Sequence, residues 1–188
     1  MTHLVCLLEE RSAEEMLRGI LPKILPDHVH PIFIPFEGKS DLEKQMERKI
    51  RGWKQPDSVF LILRDQDAGD CRTIKQNLVR KVEQTRKDIK LILIRIACHE
   101  LETFYLGDLR AVEQGLQLQK VAKKQQIRKF RNPDLLGNPS EELEKLTRNK
   151  YQKIQGSKAI APHLDLSGNN RSHSFNILVS GIRRIVSL

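Results

Sequence analysis

The amino-acid sequence predicts an α/β fold, a mainly parallel sheet flanked by helices with a helical extension at its C-terminal end. Two observations carry this. Apolar runs at residues 4–8, 32–34 and 59–63, and a run at 91–97 interrupted only by Arg95, read as strands buried on both faces. Between them, apolar residues recur at helical spacing, and such alternation calls for right-handed crossovers joining parallel strands. At 188 residues the chain fits one compact unit, given roughly 150 residues per domain.

The elements follow in order. The first strand, Leu4-Val5-Cys6-Leu7-Leu8, ends at Glu9-Glu10. Met16, Leu17, Ile20, Leu21, Ile24 and Leu25 then mark a helix with Ser12 as its expected N-cap and Pro22 as its stop. Ile32-Phe33-Ile34 is the second strand. Leu42, Met46, Ile50 and Trp53 make one stripe of a helix expected to begin after Ser40. Strand three, residues 59–63, leads to Asp70, the expected cap of a helix bearing Ile74, Leu78 and Val82, and strand four follows at residues 91–97. Gly107 and Asp108 read as turn and helix cap. Beyond Gly115, Ser140 to Leu143 opens a short charged helix, residues 162–171 read as loop, and Phe175, Leu178, Val179, Ile182, Ile185 and Val186 form the apolar face of a closing helix. The expected division is a sheet unit at residues 1–118 and an extension at residues 119–188 packed on it.

Composition narrows the function classes. Three widely spaced cysteines without a CxxC pair exclude a zinc ribbon and a disulfide framework, and fit a reducing, cytoplasmic setting. The apolar runs fall far short of the ~20 residues needed to cross a bilayer, so no membrane partner is expected. A net charge of +9 favours polyanionic partners. Residues 120–131 hold six basic and no acidic residues. Lys120, Lys123, Lys124, Arg128, Lys129 and Arg131 are therefore candidate nucleic-acid contacts, with a solvated helix face as the other reading.

One pattern repeats. Glu9-Glu10 follows strand one, Asp65-x-Asp67 follows strand three, and His99-Glu100-Leu101-Glu102 follows strand four. In a parallel sheet these ends share an edge, where ligands gather, so three to five carboxylates are expected to meet there. Crowded like charges repel unless a cation compensates them, and Mg²⁺ or Mn²⁺ suits hard oxygen ligands. The plainer readings are loop decoration and helix capping, with Asp70 the clearest cap.

Glu9 after strand one, then helix, strand, helix, then Asp65-x-Asp67 after strand three resembles the Toprim domain of topoisomerases, bacterial primases and OLD-type nucleases. Leu7-Leu8-Glu9-Glu10-Arg11-Ser12 takes the place of the usual V-E-G-x-S stretch, with Glu10 where Gly is customary, so either glutamate can be the functional one. The whole chain also resembles an uncharacterised bacterial Toprim-like family associated with ATPase partners and phage defence. Glu9-Glu10-x-Ser12-x-Glu14, Arg51-Gly52-Trp53, Asp65-x-Asp67-x-x-Asp70-Cys71, residues 95–108 and Arg171-Ser172-x-Ser174-Phe175 carry that likeness.

The resemblance implies a Toprim-like (Rossmannoid) sheet and a metal-dependent phosphoryl-transfer enzyme, a nuclease on DNA or RNA or a non-catalytic subunit of an ATPase complex. It implies Glu9 or Glu10 as the proton-transfer residue, Glu9, Asp65 and Asp67 as Mg²⁺ or Mn²⁺ ligands, and Glu100 and Glu102 as a second metal site. His99, Asp70 and Lys39 are supporting candidates. Gly38-Lys39-Ser40 mimics the end of a phosphate loop but lacks its first glycine, and His99-Glu100 lacks the second histidine of a zinc protease.

Overall fold

A computed structural model describes residues 1–187. Four strands, β1 (Thr2–Leu8), β2 (Val29–Pro35), β3 (Ser58–Asp65) and β4 (Ile92–Ala97), form one sheet in the order β2-β1-β3-β4. Every pairing is parallel, with Leu8 beside Pro35 and Leu63, and Asp65 beside Ala97. The strand ends that carry the acidic residues therefore share one edge.

Alternation along the central strands divides the core in two. On one face Val5, Leu7, Phe60, Ile62 and Ile94 pack with Leu42, Met46 and Ile50 of α2 (Lys39–Arg51) and with Leu78 and Val82 of α3 (Cys71–Glu83). Trp53 also covers this face, set edge-on to Phe60 with ring centroids 6.1 Å apart. On the other face Leu4, Cys6, Leu8, Leu61 and Leu63 meet Met16, Leu17 and Ile20 of α1 (Arg11–Ile20). Phe104 of α4 (Glu102–Leu106) and Leu109 of α5 (Leu109–Gly115) join this layer. So do Leu143 of α6 (Pro139–Leu146), Ile160 of α7 (Lys153–Ile160), and Phe175, Leu178 and Ile182 of α8 (His173–Ile185). Residues 119–187 thus form one wall of the same core.

Several boundaries differ from expectation. The cap position of α1 is Glu10 rather than Ser12, whose hydroxyl donates instead to the Glu10 carboxylate. Helix α2 starts at Lys39, before Ser40, because Gly38 at φ 98° makes the turn into it. Pro22 ends α1 in a 3-10 turn (Leu21–Lys23). Residues 120–131 form no helix face: they fold into 3-10 turns at Ala122–Gln126 and Arg128–Phe130, tacked down by buried Val121 and Phe130. No described helix is long and apolar enough to cross a membrane.

Candidate functional site

The sheet edge sorts its acids by strand parity. Arg64 continues the face of Phe60 and Ile62, and Asp65 continues the face of Leu61 and Leu63. Glu9 follows Leu7 onto the α2 side, and Glu10 follows Leu8 onto the α1 side. Alternation stops at Asp67, which adopts φ 54° and swings toward α2. Two groups result.

The first group holds Glu9, Asp67, Arg64 and Lys39. Glu9 Oε2 accepts from the Asp65 amide at 2.9 Å and lies 3.9 Å from Arg64 Nε. Asp67 Oδ2 pairs with Lys39 Nζ at 2.7 Å and lies 3.9 Å from Arg64 Nη2. Arg64 is only 6 % exposed, pairs with Glu43 of α2, and donates from Nε to its neighbour's carbonyl oxygen at 2.9 Å. A buried guanidinium that meets three carboxylates fixes their directions. Burial raises Glu9 above the usual carboxylate range, the Asp65 amide opposes this, Asp67 adds to it and Arg64 subtracts. Lys39 is held above its ordinary value by its bond to Asp67. A cleft of about 420 Å³ opens beside the group, lined by Lys39, Ser40, Glu43, Arg64, Gln66 and Asp67 among others.

The second group lies on the opposite face. Asp65 is buried and its carboxyl rises well above the ordinary range, through desolvation first and then the fields of Glu102, Glu9 and Glu10. Glu102 is fully buried: Oε1 accepts from the Tyr151 hydroxyl at 2.8 Å, while Oε2 has no partner among the described residues. Burial lifts its pKa, against the pull of Lys153. Lys153 of α7 lies 3.4 Å from Glu10 Oε1. Desolvation opposes its charge, but Glu102, Glu10 and Asp65 hold it above its ordinary value.

The remaining candidates have structural partners. Glu100 Oε2 accepts from the Ser140 amide at 2.7 Å, so it anchors the start of α6 while its charge adds to the raising of Glu102. Asp70 caps α3, accepting from the Thr73 amide at 2.8 Å. His99, at φ 59°, receives the Asp67 amide on its carbonyl at 2.7 Å and sets Nδ1 3.2 Å from the Asp67 carbonyl, bracing that turn. In the basic segment Lys129 is tied to Glu142 and Arg131 donates to the Gln126 carbonyl, whereas Lys123, Lys124 and Arg128 are exposed. Sequence reasoning missed Arg64, Glu43, Tyr151 and Lys153. For Arg64 a signal existed, since an arginine in the run Val59-Phe60-Leu61-Ile62-Leu63-Arg64 must be buried with its charge partnered.

Among the described residues no three His, Cys, Asp or Glu side chains stand close enough to surround one ion. Mg²⁺ needs less, since one or two carboxylates plus water and phosphate oxygens complete its octahedron. Asp67 lines the cleft and Glu9 lies within its field, so the two offer hard oxygen donors that fit such an ion once Lys39 turns outward.

The chain matches, over residues 8–183, a family described as Domain of unknown function (DUF4276). None of the curated proteins or solved structures compared with it matches. Because that span takes in all of the described elements except most of β1 and the last residues of α8, and includes both acidic groups, the chain belongs to the DUF4276 family, a domain of unknown function.

Proposed function

We propose that the sheet edge is the active site of a Toprim-type, divalent-metal-dependent phosphoryl-transfer enzyme, a nuclease acting on DNA or RNA. The observation that carries this reading is a cleft walled by Asp67, Lys39 and Arg64, with Glu9 set behind it 3.9 Å from the Arg64 guanidinium. Glu9 and Asp67 would hold Mg²⁺ or Mn²⁺. That ion, when bound, supplies positive charge to a phosphodiester and lowers the pKa of a coordinated water.

The chain's own residues do the rest. Lys39, more than half exposed, is free to leave Asp67 for a phosphate oxygen, and Arg64 presents a fixed positive field to the same oxygens. Glu9, lifted above the carboxylate range by burial, is suited to accept a proton from the attacking group. The Asp65 amide holds its carboxylate in place. Lys123, Lys124 and Arg128 would follow the nucleic-acid backbone, and the likeness to Toprim effectors adds an ATPase partner and phage defence.

A second reading has its own support. Lys39 and Arg64 already neutralise Asp67 and Glu9 without a metal, which is what a non-catalytic binding subunit of an ATPase complex would retain. Calorimetric titration with Mn²⁺ and cleavage assays on single-stranded and duplex DNA and RNA separate the two. The enzyme reading expects Mn²⁺ binding, and cleavage reduced by about a hundredfold or more in Glu9→Gln and Asp67→Asn. Absent metal binding and absent cleavage leave the binding subunit, and cleavage that survives both substitutions removes Glu9 and Asp67 as its catalysts.

A further inference from the structure

We propose a second ligand site, a phosphate-binding pocket between α5 and the segment 163–171, separate from the acidic edge and independent of any reaction there. A cavity of about 340 Å³ is lined by Arg110, His163 and Arg171 over a floor of Gly107 and Asp108. Both His163 and Arg171 lie within the span matched to the family, yet the edge site uses neither.

The walls are fixed by hydrogen bonds. Asp108 Oδ1 accepts from the Ala111 amide at 3.1 Å and its Oδ2 from the Asp165 amide at 2.8 Å. The Arg171 amide donates to the Gly107 carbonyl at 2.9 Å, and Asn170 Nδ2 to the Phe104 carbonyl at 3.0 Å. Gly107 is required here, because a Cβ would stand 1.9 Å from Asn170 Oδ1. Asp165 Oδ1 accepts from the Ser167 amide at 2.9 Å and the Ser167 hydroxyl at 2.7 Å. Gln125 is committed to three backbone groups, those of Leu109, Leu106 and Phe130.

The Asp108 and Gln125 side chains are thus tied to the protein's own donors and acceptors, while the exposed side chains of Arg110, Arg171 and His163 make no hydrogen bond or ion pair with the described residues. Two guanidinium forks and an imidazole on a rigid frame match the tetrahedral oxygens of a phosphate group. The volume suits a ligand of mononucleotide size rather than a bare ion. The phosphate belongs either to a free nucleotide or to the end of a nucleic-acid strand.

Calorimetry on the full chain in EDTA buffer tests this, because without divalent metal the edge chemistry plays no part. The probes are AMP, adenosine, and a hexanucleotide with and without a 5′-phosphate. AMP or the 5′-phosphorylated strand should bind, adenosine and the 5′-hydroxyl strand should bind at least about tenfold more weakly, and R110Q/R171Q should cost at least about tenfold without a change in melting temperature. Asp65→Asn should bind as wild type. Tighter binding of AMP marks a free nucleotide as the ligand, and tighter binding of the phosphorylated strand marks a strand end. The proposal fails if neither phosphate probe binds, if the phosphate makes no difference, or if R110Q/R171Q binds like wild type.

Discussion

Arg64 is the side chain on which the acidic edge most depends. It is buried, yet it faces Glu43, Glu9 and Asp67, so its loss strands three carboxylates around a half-dry hole. Breaking a fully buried pair costs about 3–5 kcal/mol; because Glu43 and Asp67 are partly exposed, Arg64→Ala should lower the unfolding free energy by about 2–3 kcal/mol, read from urea denaturation. Asp65 makes the opposite kind of prediction. Burial raises its folded pKa above the ordinary 3.8, so the folded chain keeps a proton that the unfolded chain releases. Its contribution is therefore most favourable below the unfolded value and is lost as pH rises toward the folded one. In metal-free buffer, urea midpoints across about pH 4–8 should fall less steeply in Asp65→Asn than in wild type, and equal slopes would assign the pH dependence to other groups. Glu9, Asp65 and Asp67 were legible in the sequence because a short motif behind an apolar run fixes position. Tyr151 and Lys153 were not, because their roles come from a distant helix that no local pattern links to the edge.

At the level of elements, parity did what the motif alone could not reveal. The D-x-D spacing suggests two aspartates on one face, but the strand ends at Asp65 and Asp67 turns at positive φ, so the pair straddles the sheet. The strands, α3 and α8 were legible from their apolar period and, for α3, from the Asp70 cap. Helix α7 was not, since Gly156 and Ser157 interrupt a helical stripe too short to stand out. Gly156 has a definite task there. A Cβ would come within 2.3 Å of the Tyr151 ring, so Gly156→Ala should push the ring off Glu102 and destabilise the protein by about 1–3 kcal/mol, measured by thermal and urea denaturation. The link from Glu100 to α6 is a smaller matter. Glu100→Ala removes one helix-terminal acceptor and should cost about 1 kcal/mol while leaving the edge geometry intact.

For the molecule as a whole, the expected border near residue 118 does not divide the core. Phe130, Leu143, Tyr151, Ile160, Phe175, Leu178 and Ile182 belong to the same buried cluster as Leu4, Leu61 and Met16. A fragment of residues 1–118 should therefore leave one sheet face wet and show poor chemical-shift dispersion and dye binding, whereas sharp native-like spectra would establish an autonomous unit. The positive charge acts at this scale too. If Lys123, Lys124 and Arg128 follow a nucleic-acid backbone, reversing all three to Glu should weaken binding and flatten its dependence on salt. The buried Glu102 ties the middle of the polypeptide to α7, a segment made later, in time as well as in space. Until Tyr151 and Lys153 are made, Asp65, Glu10 and Glu102 have neither the hydroxyl nor the ammonium that answers them in the folded protein. Burial of these acids thus waits on the helix that answers them, and a chain that stops short of it leaves them in water.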